Sequence, residues 1–541
     1  MDAGGTRRSV QRGQPRHEDH GIEPTSVPQS RDSDHVYSIA RLRHSAIVFL
    51  AAKGLTAPLN LISFLLIAAR LPRPEFALYA WLVAFGQLAQ QLSIFGLNWI
   101  ALHQVPYYRS RVGGRPYRLF LLGLVLLRFG SIAALVGVCV VAAPHLVVAV
   151  GHPSWLLPLR LYLVVLAAEL GVEFLRSCVF EPLLEQGVAQ RNVLLQHTVY
   201  LSALLLALSA EGPSLSIAGV LYARAAAVWV ALAFAVGRFG HLLRQPATAV
   251  AGERPLPWRV LFAFALDNYA QDIMRLTSGG SLMTMLASRL IDVSALAAFG
   301  FAQNLAGFLH RFLPAQLFIG LLRPPVIAAY GHDRSFVELR RRIGLILKVS
   351  SCALAAVGAV FVAVGRPALG LLSGGQYASS YGLLLIFLLW LAVVSLQRMQ
   401  SVLTNVLGHS ELLRRASLSS LLVVPVAVGL VYAGAGPYGL ILGMMTGDTV
   451  SVWLVTHQFR RAGYRFAFDA RGYGRLAGAT LAAILIGTLS VRALPIGVWS
   501  VSGGVAATLA SFALALRVFR PFAPAERQAI ESLLGRRMAL L

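Results

Sequence analysis

The sequence predicts an all-α protein that crosses a membrane about fourteen times. Three observations support this prediction: the composition, the spacing of apolar segments, and the placement of arginine between them. Of 541 residues, 57% are hydrophobic and 13% are charged, and the mean hydropathy is +0.68. A soluble protein carries about a quarter charged residues, so lipid is the expected solvent for most of this chain.

The apolar segments account for most of the length. Fourteen of them, each near the ~20 residues needed to cross a bilayer, follow one another between residues 45 and 519. Their connections are mostly short, so consecutive helices are expected to be antiparallel neighbours. The first 40 residues are polar and lack periodicity, which predicts a disordered tail.

Arginine and lysine predict the orientation. With the N-terminus inside, the inside segments hold 33 of these residues and the outside segments hold 6. Both ends are therefore expected in the cytoplasm, so the chain is predicted to be a multi-pass membrane protein. The net charge of +24 then indicates contact with anionic membrane lipids and not with nucleic acid.

Two halves of the chain resemble each other. The segment that begins at Gly123 aligns with the one at Gly344, and Gly187 aligns with Gly408 at the same offset. Because both halves begin inside, the repeat is parallel, with its axis along the membrane normal. The predicted organisation is a cytoplasmic tail (1–40), a first six-helix lobe (41–237), a linker (238–258), a second six-helix lobe (259–460), two extra helices (474–519) and a cytoplasmic C-terminal tail (520–541).

The seventh apolar segment contains an unusual polar stretch, ALDNYAQDIMRLT, from Ala265 to Thr277. Asp267, Gln271 and Arg275 share one helical face, and Asp272 lies one turn below Arg275. An ionised group in hydrocarbon costs at least ~2.5–3.5 kcal/mol, so this face cannot point at lipid. It is either an internal ion pair or the wall of a hydrated cavity, and the cavity is the favoured interpretation.

Polar stripes on other helices extend this prediction. Arg128, Arg224 and Lys348 are expected to reach the lipid interface, whereas the remaining polar residues are expected to face the centre. Those central residues are Lys53 and Asn60; Gln87, Gln91 and Asn98; Glu169, Glu173 and Arg176; Asn304, His310 and Arg311; Arg398 and Asn405; and Asp448. The Glu169, Glu173 and Arg176 group is equally well read as a self-satisfied ionic triad.

A central cavity rich in bases and amides suits a lipid-linked sugar. Lys53, Arg275, Arg311 and Arg398 are expected to bind a pyrophosphate, because guanidinium groups grip phosphate with two parallel hydrogen bonds. Side-chain amides can hydrogen-bond to sugar hydroxyls. The amides expected to do so in the cavity are Asn60, Gln87, Gln91, Asn98, Gln271, Asn304 and Asn405.

The energy source is expected to lie outside the chain. The sequence has no GxxxxGK[ST] motif, so an ion gradient or the membrane potential would drive transport. No cofactor, metal or catalytic residue is predicted. Six charged residues are expected either to take part in ion coupling or to form ion pairs inside the protein: Asp267, Asp272, Glu169, Glu173, Arg176 and Asp448.

The segment AARLPRPEFALYAWLVAFGQLAQQLSIFGL, Ala68 to Leu97, carries a family resemblance. It resembles the polysaccharide-type flippases of the multidrug/oligosaccharidyl-lipid/polysaccharide exporter superfamily, which move O-antigen and exopolysaccharide repeat units. The matching residues are Ala69, Arg70, Leu71, Phe76, Tyr79, Gly96 and Leu97, and Ala77 departs from the usual Gly. SRLIDVSALAAFGFAQNL, from Ser288 to Leu305, is similar to the segment after that family's seventh helix. The resemblance covers residues 41–520 and implies a flippase without naming a substrate.

The sequence therefore predicts a flippase for an isoprenoid-pyrophosphate-linked oligosaccharide that works by alternating access, with polysaccharide polymerase or export machinery as a further expected partner. Three alternatives remain open. One is a lipid II flippase of the same superfamily, and another is a drug/cation antiporter. The third is an O-antigen polymerase or ligase, which usually needs a large external loop that this chain lacks.

Overall fold

The computed structural model describes residues 39–245, 257–276, 279–316, 336–407, 410–464, 469–495 and 497–534. Within these ranges the chain is helical and contains no strand, as predicted. The predicted N-terminal tail falls outside the described residues, except for its last two positions, which begin the first helix. Most of the predicted linker also falls outside, and the last helix of the first lobe continues into its start, to Arg244.

The first lobe consists of seven helices. Their bounds are α1 Ile39–Arg70, α2 Arg73–Ser93, α3 Leu97–Tyr107, α4 Gly114–Val150, α5 Leu156–Phe174, α6 Gln186–Glu211 and α7 Ile217–Arg244. Two π-helical turns, Tyr108–Val112 and Leu175–Phe180, follow α3 and α5. The largest hydrophobic cluster centres on α2, where Phe76 and Trp81 are fully buried.

Within the described residues, the second lobe contains eight α-helices. Their bounds are α8 Trp258–Leu276, α9 Gly280–Leu290, α10 Val293–Phe312, α11 Phe336–Leu372, α12 Tyr381–Val406, α13 Ser410–Ser417, α14 Val423–Leu430 and α15 Pro437–Arg461. A 3₁₀ segment, Leu418–Leu422, joins α13 to α14, and a π-helical turn, Val431–Ala435, follows α14. The predicted seventh span is thus two helices, α8 and α9.

The all-α, polytopic architecture that the sequence predicts is confirmed. Ten helices in the described ranges are long and apolar enough to span a bilayer, and the bent pair α2–α3 makes an eleventh. The prediction of about fourteen crossings counts the more polar α5, α8–α9 and α10 as the remaining three. The repeat is also visible, because α4 and α11 each contain 37 residues and occupy the same place in their lobes. The structure is therefore a polytopic membrane protein with two parallel six-span lobes.

The second span is bent by 59° between α2 and α3. Gly96 lies at the bend with φ +70°, a conformation that glycine adopts without strain. A Cβ at this position would also collide with the backbone carbonyl of Ala265 on α8. The glycine of the family-like segment therefore serves two local purposes: it allows the bend, and it lets the two lobes approach closely.

The C-terminal helices pack on α11. They are α16 Ala470–Ala493, α17 Val498–Phe519 and the short α18 Pro524–Leu534. The Lys348 ammonium on α11 is 2% exposed and contacts Asp469 at 2.6 Å and Glu526 at 2.7 Å. The expectation that Lys348 reaches the lipid interface is wrong, because two carboxylates from later segments meet it inside the protein.

Asp469 has a second function in this contact. Its side chain accepts the backbone N–H of Gly472 and so caps α16. The Lys348 hydrogen bond, followed by the Gly472 N–H, holds the pKa of Asp469 below its ordinary value of 3.8. The polar contact thereby fixes α16 and α18 to the same end of α11.

Candidate functional site

A cavity of about 570 Å³ lies between the two lobes. Amides, hydroxyls and charged groups dominate its wall. The lining residues are Gln87, Leu88, Gln90, Gln91, Ile94, Asn98, Asp272, Leu276, Gly279, Gly280, Ser281, His310, Trp390, Val394, Gln397, Arg398, Ser401, Ser417, Asp448 and Ser451. The helices that supply them are α2, α3, α8, α9, α10, α12, α13 and α15, so both lobes contribute.

Helical spacing explains how the wall is formed. On the second span, Gln87, Gln91, Ile94 and Asn98 recur every three or four residues and so occupy one face. The same spacing places Trp390, Val394, Gln397 and Ser401 of α12 on the opposite wall. The first stripe was predicted from the sequence. Trp390 and Gln397 were missed, although their spacing from the predicted Arg398 and from Ser401 is a detectable signal.

Asp448 is the most enclosed acid of the cavity. Its side chain is 5% exposed on α15. One carboxylate oxygen accepts the Trp390 indole N–H at 2.8 Å, and the other accepts the Gln397 amide at 3.1 Å. Donors on both oxygens are the arrangement that suits an ionised carboxylate.

A second acid, Asp272, lies where the lobes meet. The indole N–H of Trp99 on α3 donates to its carboxylate at 3.0 Å. Close by, the Ser281 hydroxyl on α9 donates to Gln87 on α2 at 2.5 Å. Both hydrogen bonds join the first lobe to the second, so the polar wall also connects the two moving parts that alternating access would require.

A basic cluster lies beside the cavity and is made by both lobes. Lys53 of α1 and Arg176 of the π-turn after α5 come from the first lobe, and Arg311 of α10 comes from the second. The charges of Arg176 and Arg311 act directly on Lys53. His197 of α6 lies in the field of all three bases, and Glu181 is the acid near Lys53 and Arg176.

His310 connects the basic cluster to the cavity. It lines the cavity wall, and both Arg398 and Arg311 act on its ring electrostatically. Arg398 itself lines the cavity, whereas Lys53 and Arg311 do not. The four predicted pyrophosphate residues are thus not gathered in one wall. Arg398 belongs to the cavity, Lys53 and Arg311 belong to the basic cluster, and the side chain of Arg275 lies outside the described residues.

The acids of the first lobe have basic partners. Glu169 of α5 accepts two hydrogen bonds from Arg224 of α7, at 2.5 and 3.1 Å, and the guanidinium also lies over the Tyr162 ring. Glu173 pairs with Arg176 three residues later. The predicted alternative of one closed triad is therefore wrong, because Glu169 takes a partner from another helix.

Two further arginines depart from their predicted positions. Arg128 is 1% exposed and donates to the backbone carbonyl and hydroxyl of Ser93, at 2.6 and 3.0 Å. Arg224 is only 18% exposed because of its pairing with Glu169. The prediction that these two side chains reach the lipid interface is wrong, because each donates to an acceptor on a neighbouring helix, Ser93 or Glu169.

The remaining predicted site residues fall into two groups. Asn304 donates to the Gly300 carbonyl of its own helix at 2.8 Å and, like Asn60, is absent from the cavity wall. The other group has side chains outside the described residues: Asp267, Gln271, Arg275 and Asn405. Within the described residues, no group of three His, Cys, Asp or Glu side chains could hold a metal ion.

The lobes are joined tightly at the membrane side where α1 ends. Phe76 of α2 packs against Tyr377 and Phe301 of the second lobe, with ring centroids 5.0 and 6.3 Å away. Arg73 donates to the Gln376 carbonyl at 2.6 Å, and the Gln376 amide donates to the Ala69 carbonyl at 3.1 Å. These contacts close one end of the inter-lobe space.

The comparisons with known proteins concern the fold. No model of a protein family matches the chain, and no curated protein matches it significantly. The chain is similar to a solved structure of the lipid II flippase MurJ in an inward closed conformation. The identity is 14% and the TM-score is 0.65, with 91% of this chain and 100% of that one covered.

Transporters of the MOP superfamily are also similar. An inward-facing MATE family multidrug resistance transporter has a TM-score of 0.57 at 16% identity, covering 77% of this chain and 98% of that one. A MOP superfamily transporter from Pyrococcus furiosus, with a binding pocket described as reversed in polarity, has a TM-score of 0.52 at 15% identity. It covers 80% of this chain and 98% of that one.

The share of this chain that is matched is larger for MurJ than for the other two transporters. Residues 1–461, which end with α15, make up about 85% of the 541 residues, so the 91% match to MurJ must include part of the C-terminal helices. The matches to the other two transporters are satisfied by the two lobes alone. This chain therefore has the fold shared by MurJ and the MATE transporters, with C-terminal helices that the MurJ match also includes.

Proposed function

We propose that this protein moves an isoprenoid-pyrophosphate-linked oligosaccharide repeat unit from the cytoplasmic to the outer leaflet of the bacterial inner membrane. The repeat unit would serve cell-surface or exopolysaccharide synthesis. The observation that carries the proposal is the basic cluster: Lys53, Arg176 and Arg311, from two lobes, lie close enough for their charges to interact beside an amide-lined cavity. The resemblance of Ala68 to Leu97 to polysaccharide-type flippases supports the same substrate class.

The basic cluster favours an anionic head group. Like charges brought together within a membrane are costly unless a carboxylate or an anionic ligand offsets them. Glu173 pairs with Arg176, Glu181 is the acid near Lys53 and Arg176, and Arg311 forms no ion pair within the described ranges. A pyrophosphate with two or three negative charges would balance these bases, and the Arg311 guanidinium could hold it with two parallel hydrogen bonds.

The geometry suggests an order of events. The cluster lies in the half of the protein where α1 begins, which the arginine distribution predicts to be cytoplasmic. The head group would enter there while its isoprenoid chain stays in lipid, and the sugars would occupy the cavity beyond. Separation of Phe76 from Tyr377 and Phe301 would then open the opposite end, and rocking of the lobes would release the head group outside.

Energy for the cycle is proposed to come from an ion gradient or from the membrane potential. Among the acids suggested for coupling, Glu169 and Glu173 already pair with arginines. Asp272 and Asp448 face the cavity and are bonded by neutral donors. These two are therefore the better candidates, because their charge can respond to an ion or to a substrate.

A lipid II flippase is the second candidate. The MurJ match includes part of the C-terminal helices, and the MATE matches do not require them. A drug/cation antiporter is less favoured, because a basic cluster lies beside the cavity. An O-antigen polymerase or ligase is also less favoured, since the connections on the predicted outer side are short.

The test uses cells that lack this protein. Their isoprenoid lipids are extracted, and the accumulating saccharide and its leaflet are determined. Build-up of a repeat unit on the cytoplasmic leaflet, reversed by the intact gene, would support the proposal. Build-up of the peptidoglycan precursor would favour the lipid II candidate instead. Build-up on the outer leaflet would favour a polymerase or ligase, and no build-up would favour the antiporter.

The same cells test the basic cluster. Arg311→Ala should reduce export about tenfold or more while the protein still inserts, because a charged hydrogen bond to the head group is lost. Arg275→Ala is expected to act in the same way. Arg191→Ala removes an exposed arginine on the same side of the membrane and serves as the matched control. Normal export by both test variants would remove the anion-site proposal.

A further inference from the structure

The cavity wall contains acids as well as a base, whereas the basic cluster is defined by its cations. The described charged residues of the cavity wall are two carboxylates, Asp272 and Asp448, and one guanidinium, Arg398, together with the His310 imidazole. The basic cluster combines Lys53, Arg176 and Arg311. An extended anionic substrate would find favourable charge in one region and opposing charge in the next.

The two cavity carboxylates are held in place by the protein. Trp390 and Gln397 each donate an N–H to Asp448, and Trp99 donates to Asp272. The hydrogen-bond donors to both acids are uncharged, whereas Glu169 pairs with the Arg224 guanidinium. Arg398 of the same wall also acts on Asp448 electrostatically. The cavity thus retains carboxylates whose hydrogen-bonding partners are uncharged.

The amides of the wall complete a surface suited to sugar hydroxyls. Gln87, Gln90, Gln91, Asn98 and Gln397 present both donors and acceptors around the same space. A carboxylate accepts hydrogen bonds from hydroxyl or ammonium groups and repels a second carboxylate in a low-dielectric site. The volume of about 570 Å³ is that of a small-molecule site, so it suits a short saccharide.

We propose that the cavity selects saccharides without acidic groups. The substrate would be an isoprenoid pyrophosphate whose sugars are neutral or carry a free amine, with Asp272 and Asp448 opposing uronic acids and other anionic sugars. The pyrophosphate would be the only anionic part of the head group and would stay with the basic cluster. This inference rests on the proposed function and names the substrate class of the same site.

The experiment compares three synthetic lipids in liposomes that contain the purified full-length protein. Each carries the same isoprenoid pyrophosphate and a disaccharide that is neutral, contains one uronic acid, or contains one free amine. The initial rate of transfer between leaflets is measured for each lipid. We expect the neutral and amine-bearing lipids to cross at least tenfold faster than the uronic acid lipid.

Variants identify the residues responsible. In Asp272→Asn with Asp448→Asn, the ratio of the uronic acid rate to the neutral rate should rise at least fivefold. A ratio is used because a general loss of activity affects both rates alike. Glu411→Gln, which changes an exposed acid outside the cavity, should leave the ratio as it is in the unmodified protein.

The outcomes separate the two proposals. Equal rates for the neutral and uronic acid lipids in the unmodified protein would overturn the substrate class and leave the flippase function intact. Transfer of none of the lipids would overturn the proposed function and the substrate class together. If the double variant does not fold, the rate comparison in the unmodified protein still decides the question.

Discussion

The intramembrane carboxylates of the two lobes have different partners. In the first lobe, Glu169 meets the Arg224 guanidinium at 2.5 Å, and Glu173 pairs with Arg176. In the second lobe, Asp448 is held by an indole and an amide, at 2.8 and 3.1 Å. Glu169 and Glu173 of the first lobe are thus paired with arginines. Asp448 of the second lobe lies in the cavity wall, and its hydrogen-bond donors are neutral.

This difference separates structural charges from available ones. An ion pair between helices fixes their relative rotation. Because each charge is neutralised by its partner, the pair interacts only weakly with a ligand. A carboxylate whose hydrogen-bond donors are neutral is not committed to an ion pair, and its remaining acceptor capacity faces the cavity. Pairing across the membrane interior thus indicates which acids hold the fold together and which can act on a substrate.

The largest expected effect comes from breaking the first-lobe pair. Arg224→Met leaves Glu169 without its partner in a mostly buried position and should destabilise the protein by about 3 kcal/mol. Thermal unfolding in detergent measures the change. The double variant Arg224→Met with Glu169→Leu should recover most of the loss. A double variant as unstable as the single one would show that the arginine stabilises by packing on Tyr162 and not by pairing.

Removing a neutral donor in the second lobe should have a smaller effect. Trp390→Phe keeps most of the ring packing but takes the indole N–H from Asp448, at a cost of roughly 1–2 kcal/mol. The same unfolding assay measures it. Asp448→Asn should cost less than Trp390→Phe, because the Asn carbonyl still accepts the indole N–H and Gln397 can turn its amide to match. The reverse order would mean that the charge itself stabilises the lobe.

A few-fold effect is expected where the lobes meet. Trp99→Phe removes the hydrogen bond to Asp272, which links α3 to α8. The inter-lobe space should then open more often on the side where α1 begins. A cysteine placed at Gln91 in the cavity should react roughly two- to fivefold faster with a membrane-impermeant thiol reagent added on that side. Unchanged labelling would mean that this bond does not limit opening.

The smallest expected effect concerns pH and the C-terminal contact. The pKa of Asp469 is lowered in the folded protein, so its contribution to stability is present at neutral pH and down to its ordinary value of 3.8. It is lost as pH falls further, through the lowered pKa. The difference in melting temperature between the unmodified protein and Asp469→Asn should thus be constant from pH 7 to about 4 and should shrink towards pH 3. A difference that disappears already at pH 5 would contradict this assignment.

Much of the fold could be predicted because its determinants are local. Hydrophobic length gives the fourteen spans, and the alignment of Gly123 with Gly344 anticipates the equal lengths of α4 and α11. The stripe of Gln87, Gln91 and Asn98 was also predicted to be central, and it lines the cavity. These features follow from helical periodicity and from the cost of placing polar groups in lipid, both of which depend on one helix at a time.

The bend and the partners of charged groups could not be predicted in this way. Glu169 lies seven residues from Arg176 and was expected to share a triad with it, yet it pairs with Arg224, 55 residues away on α7. The separation of Arg398 from Lys53 and Arg311 has the same origin. Each choice depends on how neighbouring helices rotate and shift against one another, and the sequence of a single helix does not specify that packing.

The sequence by itself thus determined a membrane protein of two repeated lobes, the arginine-based prediction of its orientation, and most of the polar helices of its centre. The tertiary structure decided which charges neutralise each other, which remain in the cavity, and which form the basic cluster beside it. The physical reason is that burial of a charge costs free energy wherever it occurs. The means of offsetting that cost depend on groups that only packing brings within hydrogen-bonding distance.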